Sequence, residues 1–306
     1  MKKILIIKHG SLGDIIFALP VIQSILIKYS DCEIDILTEK KYFNLLNKTK
    51  YFDCLIEDNR SKNLFSIARL FKKLLNKKYD LVVDLQNSTR TSYYHLIFRL
   101  LDKCLISSSR RFAHMRYYIP HQGVETTTQG LFNQLKLLNI QEVKNPNYNW
   151  LKVELDNIYD KKMILFIPGA SKKGFYKKWD SSKFGEIAQY CEKKEYQICI
   201  VGTKHDQESA FPILSKCKKI INCIEKSPPE VIYSIAKKSK LIISNDTGPG
   251  HIASLSGTNT LWLLNDNKIA EANIENKSTN FKILSKKIND ISSHEVIQYI
   301  EKNNLL

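Results

Sequence analysis

The sequence predicts an α/β protein built from two doubly wound halves, each with a parallel sheet. Three observations lead to this prediction. Short continuous apolar runs recur along the 306 residues, amphipathic helical segments separate them, and a polar stretch without periodicity divides the chain near its middle. Continuous rather than alternating apolar runs are typical of parallel strands that helices cover on both faces.

The predicted strands are the apolar runs themselves, which are short and bounded by polar or turn residues. In the first half they are residues 4–7, 34–37, 54–56, 81–83 and 104–106. In the second half they are residues 164–167, 198–201, 220–221, 241–243 and 260–264.

The predicted helices show apolar residues at helical spacing, and Pro20 is expected to kink or break the first of them. They cover residues 15–29, 64–75, 183–194, 230–238 and about 294–303. The polar stretch 141–160 is interpreted as the linker. We therefore expect one domain over residues 1–155 and another over 156–306, with the final helix as a candidate to return to the first domain.

Charge and cysteine content narrow the class of protein. The formal net charge of +16 favours a polyanionic or phosphorylated partner, although an AT-rich genome would also enrich lysine. No aromatic RNA-binding motif or helix-turn-helix stands out, so we expect no nucleic-acid partner. The seven cysteines form no CxxC pair, which disfavours a zinc site or a disulfide framework.

The chain shows no apolar run of the ~18 residues that would span a bilayer. Its N-terminus enters glycine and Asp14 without a small-residue cleavage site, so no signal peptide is predicted. We therefore expect a cytoplasmic protein.

One turn carries several groups that suit an anion. Residues 244–253 (SNDTGPGHIA) follow the apolar run 241–243. If that run is a strand, the turn lies at its carboxyl end, where Pro249 suits the first position of a helix. The N–H groups of the helix start, with His251 beside them, would then bind a diphosphate. The alternative is a plain helix whose end is capped by the acid and hydroxyl of the turn.

A second glycine-containing turn, residues 9–16 (HGSLGDII), follows the first predicted strand. Its spacing does not match the GxGxxG dinucleotide fingerprint. Asp14 falls at the start of a helix, where a carboxylate could accept a proton from a hydroxyl group. The alternative is an acid that only stabilises the helix start.

A third turn, residues 168–179 (PGASKKGFYKKW), follows the first predicted strand of the second half. Ligands of such sheets bind at the carboxyl ends of the strands, which is where this turn is expected. A lysine there can neutralise a departing diphosphate. The alternative is a solvated basic loop.

Taken together and in this order, the three turns resemble motifs of glycosyltransferase family 9, the ADP-heptose heptosyltransferases of bacterial surface-glycan assembly. That family opens with a strand and a glycine-rich turn that ends in Gly-Asp and leads to Leu-Pro, as in residues 10–20. It carries a Pro-Gly-Ala loop that runs to Lys-x-Trp, as in 168–179, and an Asp-Thr-Gly-x-x-His turn, as in 246–251. The resemblance spans nearly the whole chain and includes residues 84–87 (DLQN).

The resemblance implies a GT-B architecture, in which two Rossmann-like domains face a central cleft, and an inverting transfer from an ADP-sugar without metal or cofactor. Asp14 would be the general base on the acceptor hydroxyl, and Lys177 would stabilise the departing ADP. The other implied donor-binding residues are Ser171, Asp246, Thr247, Gly248 and His251 at the diphosphate and sugar, and Glu208 and Ser227 near the adenosine.

Two positions depart from the family's pattern. Asp180 follows Trp179 where the family has proline, which we expect to alter only a helix start. Gly250 stands where a bulkier residue is common, which would widen the sugar pocket.

The first domain is expected to bind an anionic glycolipid acceptor, because guanidinium groups match phosphate and carboxylate bidentately. The candidates are Gly13, Arg60, Arg90, Arg110, Arg111 and Arg116, and the alternative for each arginine is an ordinary surface residue. The basic excess also fits loose, peripheral attachment to the anionic inner membrane.

The predicted function is therefore transfer of a heptose or related sugar to a lipopolysaccharide core or another surface glycan. Two alternatives stay open at this point. One is a transferase of the same fold with a different nucleotide-sugar donor, and the other is a nucleotide- or polyanion-binding protein without turnover.

Overall fold

The computed structural model describes residues 2–121, 124–156, 159, 162–170, 172–275 and 277–306, except for the side chains of residues 172, 173, 269 and 270. The chain divides into two compact units, Met1–Asn147 and Tyr148–Leu306. The sequence places this boundary between residues 155 and 156. In the structure, residues before that point already contact the second unit, where the N–H of Val153 donates to Ser234 Oγ at 2.9 Å.

In the described part of the first unit, six strands form a parallel sheet in the order β3-β2-β1-β4-β5-β6. Its central strands are buried on both faces, as their continuous apolar runs predict. The strands are β1 (Lys3–Ile7), β2 (Glu33–Thr38), β3 (Cys54–Glu57), β4 (Leu81–Asp84), β5 (Leu105–Ser108) and β6 (Met115–Arg116).

The helices of the first unit cover both faces of this sheet. They are α1 (Leu12–Lys28), α2 (Phe43–Thr49), α3 (Leu64–Asn76), α4 (Thr89–Leu101) and α5 (Thr127–Lys136). Of the kink or break predicted at Pro20, the break does not occur, because α1 continues through this residue. α3 and α4 pack side by side, because Phe71 contacts the rings of Tyr94 and Phe98 with centroids 5.1 and 5.5 Å away.

The described part of the second unit repeats the same connectivity in a parallel sheet of order β12-β11-β10-β7-β8-β9. The strands are β7 (Met163–Ile167), β8 (Gln197–Gly202), β9 (Ile220–Ile224), β10 (Leu241–Asn245), β11 (Thr260–Asn265) and β12 (Asn280–Ser285). In both units the first strand lies beside the fourth, and that adjacency brings together the turns that follow them.

The helices of the second unit are α6 (Ser181–Lys193), α7 (Gln207–Lys216), α8 (Pro229–Lys238), α9 (Gly248–Ser254), α10 (Lys268–Ala272) and α11 (Ser293–Lys302). α11, the candidate to return to the first domain, belongs to the second unit. It packs on α6, where Tyr190 Oη donates to Glu301 Oε1 at 2.7 Å, and its apolar face joins the core of that unit through Val296 and Ile300.

The α/β class with two parallel, helix-covered sheets is therefore confirmed. None of the helices within the described ranges is long and apolar enough to cross a bilayer.

Candidate active-site residues at the carboxyl ends of the sheets

The turn after β10 places one carboxylate between two basic side chains. Lys177 Nζ donates to Asp246 Oδ2 at 2.6 Å, and His251 Nε2 lies 2.9 Å from Asp246 Oδ1. Asp246 and His251 are buried, whereas Lys177 is only partly so. The structure thus brings three of the predicted site residues into direct contact.

The charge state of this cluster follows from its contacts. Burial alone would raise the pKa of the Asp246 carboxyl, but His251 and then Lys177 outweigh that effect and hold the pKa below its ordinary value. Asp246 is therefore ionised at neutral pH, with the Lys177 ammonium group at one carboxylate oxygen and the His251 ring at the other.

The loop that carries Lys177 is anchored by buried neutral hydrogen bonds. The backbone N–H of Trp179 donates to Asn245 Oδ1 at 3.3 Å, and the Trp179 indole N–H donates to the carbonyl of Ile291 at 2.9 Å. Asn245 also donates to the carbonyl of Pro168 at 2.9 Å. Asp180 caps α6 by accepting from the N–H of Ser182 at 2.8 Å, so its effect is on the start of this helix.

The start of α9 keeps backbone donors close to this cluster. Thr247 is the residue before the helix and makes no side-chain capping bond, so the plain capped helix is not what forms. The first N–H groups of a helix have no acceptor within the helix, and those near Gly248 belong to this class.

Gly250 is explained by packing rather than by a wider sugar pocket. A Cβ at this position would collide with Ser244 Oγ and would lie 2.8 Å from the Trp262 ring. Gly250 faces the buried side of the turn, so the expectation that it enlarges the ligand space is wrong.

A pocket of about 200 Å³ opens beside the cluster in the second unit. Its walls are mainly apolar and include two charged groups of the cluster, Lys177 and Asp246. The lining includes Tyr176, Lys177, Asp246, Leu263, Asn265 and Ile288.

The remaining donor-side predictions fall elsewhere along the same edge. Glu208 is exposed in the first turn of α7, after β8. Ser227 follows β9, where its hydroxyl accepts from the N–H of Gly202 at 3.4 Å and donates to the carbonyl of Cys223 at 2.9 Å. Both therefore lie on the far side of β7 from Asp246. Ser171 lies outside the described residues.

In the first unit, Asp14 forms a capping box at the start of α1. Its Oδ2 accepts from the N–H of Ser11 at 2.6 Å and from the Ser11 hydroxyl at 2.7 Å, while the Asp14 N–H donates back to that hydroxyl at 3.3 Å. Gly13 is buried beside it. Asp14 therefore does stabilise the start of the helix, and its capping hydrogen bonds use one of its two carboxylate oxygens.

The turn that leads to Asp14 is clamped at Gly10, whose φ of +108° favours glycine. The Gly10 N–H donates to Glu39 Oε1 at 3.1 Å, and its carbonyl accepts from the Tyr42 hydroxyl at 2.7 Å. Neither of these two clamping residues was predicted as part of the site.

The predicted acceptor-binding arginines lie at the carboxyl edge of the first sheet, but they differ in their exposure and in their contacts. Arg90 is partly buried. It donates to the Tyr94 hydroxyl and lies 3.5 Å from Asp58 Oδ1. Arg60 is half-exposed and 3.6 Å from Glu39. The other three, all exposed, are Arg110, Arg111 and Arg116.

Beneath these arginines lies a buried polar network that sequence reasoning missed. His95 Nε2 is 3.0 Å from Asp84 Oδ2, and His9 Nε2 is 3.3 Å from Asp58 Oδ2. Lys8 donates to the carbonyl of Leu85 at 3.0 Å, and burial lowers the pKa of Lys8 despite the nearby charges of Asp14 and Asp84. The available signal was the charged residue directly at the end of each apolar run.

No group of three or more histidine, cysteine, aspartate or glutamate side chains that could hold a metal ion occurs among the residues that the structure describes.

Solved structures share the architecture of this chain. A family 9 glycosyl transferase from Veillonella parvula superposes with a TM-score of 0.80 over 98% of this chain and 96% of its own, at 17% identity. The Escherichia coli heptosyltransferase WaaC with ADP gives 0.79 over 98% and 99%, at 16% identity. Identities this low establish the fold alone, which is the GT-B fold of glycosyltransferases.

Sequence comparison then identifies the family. The profile of glycosyltransferase family 9 (heptosyltransferase) matches residues 67–264, which is more than half of the chain. The chain therefore belongs to glycosyltransferase family 9 and is a glycosyltransferase, as its motifs predicted. The matched range includes the motifs at 168–179 and 246–251 and begins after the one at 10–20.

Curated relatives agree with this assignment. The lipopolysaccharide core heptosyltransferase OpsX of Haemophilus influenzae is 22% identical over 282 residues, which cover 86% of this chain and 78% of OpsX. Lipopolysaccharide heptosyltransferase 1 of Campylobacter coli is 25% identical over 281 residues, which cover 82% of this chain and 80% of the relative.

Proposed function

We propose that this enzyme transfers a heptose from ADP-heptose to a sugar of a lipopolysaccharide core or related surface glycan, with inversion at the anomeric carbon. The observation that carries the proposal is the cluster of Lys177, Asp246 and His251 at the carboxyl edge of the second sheet. The names of the curated relatives, which are lipopolysaccharide heptosyltransferases, support the substrate class. An E. coli heptosyltransferase solved with ADP-2-deoxy-2-fluoro heptose supports the donor.

On the donor side, the chemistry needs positive charge where the diphosphate leaves. We assign that role to Lys177, whose partly exposed ammonium group can exchange Asp246 for a phosphate oxygen. Asp246 would itself repel a diphosphate, so we assign it to holding Lys177 and His251 in place and to the sugar hydroxyls.

Other donor contacts follow from the family's motif. Thr247 and the N–H groups near Gly248 would bind the diphosphate beside His251, together with Ser171. Glu208 and Ser227 would approach the adenosine.

On the acceptor side, Asp14 would accept the proton of the attacking hydroxyl. Its capping box with Ser11 uses Oδ2, so Oδ1 is the oxygen assigned to the acceptor. Attack from the face opposite the departing diphosphate gives inversion. The charge of the leaving group is assigned to side chains and backbone donors, so the proposal includes no resident cofactor or metal.

The acceptor is proposed to be an anionic glycolipid, held by the exposed arginines of the first unit near Gly13. Arg60, Arg110, Arg111 and Arg116 are available for this role, and Arg90 contributes by shaping the edge. We further propose that the reaction takes place in the cytoplasm at the inner membrane, without a nucleic-acid partner.

The test compares Asp14→Asn with Ser11→Ala. If Asp14 is the base, Asp14→Asn lowers kcat by about 10²–10⁴-fold, the usual contribution of general base catalysis. Ser11→Ala removes the capping partner but keeps the carboxylate, so it stays within about tenfold of the wild type. ADP-heptose binding, followed by calorimetry, is retained in both. Equal activity losses in the two variants, matched by equal losses of thermal stability, would leave Asp14 with a capping role only.

A further inference from the structure

Exposed apolar side chains gather at the carboxyl edge of the first sheet. Leu64 and Phe65 begin α3 and are 79% and 86% exposed. Tyr93, in the first turns of α4, and Tyr118 and Ile119, after β6, are also exposed. All the strands of this sheet are parallel, so the turns that follow β3, β4, β5 and β6 lie at one edge.

Arginine side chains join these turns into one continuous surface. Arg90 donates to the carbonyl of Ser61 at 2.9 Å and so links the start of α4 to the turn before α3. Arg110 donates to the carbonyl of Asn87 at 2.5 Å, which links the turns after β4 and β5.

Arg116 extends the same surface to its last segment. It donates to the carbonyl of Ser109 at 3.3 Å, and its guanidinium lies 4.8 Å from the centre of the Tyr118 ring. We call residues 60–65, 89–93 and 109–121 the docking surface.

The docking surface is basic, although Arg60 lies 3.6 Å from Glu39 and Arg90 lies 3.5 Å from Asp58. Its three segments contain six arginines and lysines and no aspartate or glutamate. The wider range 59–121, in which seven further Lys and Arg residues lie outside these segments, holds 13 of the 47 Lys and Arg residues but only 3 of the 31 Asp and Glu residues, a net of +10 out of +16. One of those three acids, Asp84, is fully buried and another, Asp80, lies at the opposite edge, before β4.

We propose that the docking surface binds the anionic surface of a lipid bilayer, with its apolar tips inserted among the lipids. Basic residues around exposed aliphatic and aromatic side chains are the combination that interfacial binding requires. Leu64 and Ile119 favour a bilayer over a nucleic acid, because aliphatic side chains neither stack on bases nor pair with phosphate. The biological meaning of this surface rests on the proposed function, since it would bring the acceptor-binding arginines to a lipid-anchored substrate.

The experiment measures sedimentation of the full-length protein with vesicles. The wild type is expected to bind vesicles of phosphatidylglycerol and phosphatidylethanolamine, to be released as salt rises, and to ignore phosphatidylcholine. The double variants Leu64→Ser/Phe65→Ser and Tyr118→Ser/Ile119→Ser are each expected to weaken this binding about tenfold, because each removes two inserted apolar groups.

The chain offers a matched control at the other end of α4. Leu100 and Leu101 are exposed to a similar degree, 72% and 68%, but lie away from the docking surface. Leu100→Ser/Leu101→Ser should therefore bind vesicles within about twofold of the wild type. All three double variants should melt within a few degrees of the wild type and should keep its kcat on a lipid-free, water-soluble acceptor.

Several outcomes would overturn the proposal. They are a wild type that does not bind anionic vesicles, a control variant that loses as much binding as the others, and tighter binding to single-stranded DNA than to vesicles. A shift from dimer to monomer caused by the same substitutions would show that the surface covers a second copy instead. Vesicle binding without any transfer to the soluble acceptor would refute the proposed function and leave the docking surface standing.

Discussion

The two sheets have the same strand order, and each places an aspartate at the end of its fourth strand, beside a histidine of the following helix. In the first unit, Asp84 and His95 are 3.0 Å apart and both side chains are 0% exposed. In the second, Asp246 and His251 are 2.9 Å apart, and Lys177, with a side chain 28% exposed, completes the cluster. Both pairs are buried, but in the second unit a partly exposed lysine joins the pair to the solvent.

The partners of each carboxylate explain this difference. Asp84 accepts from the N–H groups of Gln86 and Asn87 at 2.9 and 3.1 Å and from the Ser108 hydroxyl at 3.1 Å, in addition to its contact with His95. Those partners belong to the protein and leave little capacity for a ligand. Asp246 contacts the side chains of Lys177 and His251 instead, and Lys177 is partly exposed, so a ligand can reach its ammonium group. The Asp-His pair is therefore a candidate ligand site only in the unit where a neighbouring side chain can exchange the carboxylate for a ligand.

The largest expected effect concerns the open cluster. Lys177→Ala should lower kcat by about 10²–10³-fold, since it removes the charge assigned to the departing diphosphate. It should also lower the melting temperature by a few degrees, because the buried Asp246 loses one of its two partners. Lys178→Ala, which alters the next residue of the same loop, should keep activity within a few-fold of the wild type. Steady-state kinetics with ADP-heptose provides the measurement. If both variants lose activity equally, catalysis depends on the net charge of the loop, and the specific role assigned to Lys177 is wrong.

The next effect is a difference in stability between variants of the Asp84–His95 pair and of the Asp246–His251 pair. Asp84→Asn should lower the free energy of unfolding by about 3 kcal/mol, because it leaves several buried donors and His95 without their carboxylate. Asp246→Asn should cost about 1–2 kcal/mol, since Lys177 can turn to water. Denaturant unfolding checks both values, and the expected order reverses for kcat. A larger stability loss in Asp246→Asn would mean that the second pair is the structural one.

The smallest effect is a difference in acid sensitivity. The pKa values of Asp84 and Asp246 are both lowered: burial opposes this, but the adjacent histidine and further hydrogen bonds outweigh it. An acid with a depressed folded-state pKa stabilises the protein fully above its unfolded pKa, near 3.8, and loses that contribution as the pH falls through the folded value. Melting temperature should therefore fall less steeply below about pH 4 in Asp246→Asn than in the wild type. Parallel curves would contradict the assignment.

Much of the architecture could be predicted because parallel strands buried on both faces are written as continuous apolar runs. β6 was missed because it spans only Met115–Arg116, and β12 because its side chains are mostly half-buried. α4 was missed for a different reason. Its inward face includes Tyr94 and His95, whose buried partners are carboxylates, so the helix shows no simple apolar stripe.

The candidate site was predictable to the extent that it follows from strand order. Lys177 and Asp246 are 69 positions apart, and they meet because β7 pairs with β10. The buried network of Lys8, His9 and Asp58 was not predictable, because nothing in the spacing of these residues shows which of them face one another. The packing of Gly250 was not predictable either, because its buried neighbours are known only from the structure.

The anchoring of the Lys177 loop has a consequence for how this enzyme responds to its medium. The indole and the backbone amide of Trp179 hold the loop through two hydrogen bonds, and both groups are uncharged and buried. Dissolved ions screen the attraction between Lys177 and Asp246 but hardly affect those neutral links. The ammonium group can therefore be released toward an incoming donor while the peptide around it keeps its shape.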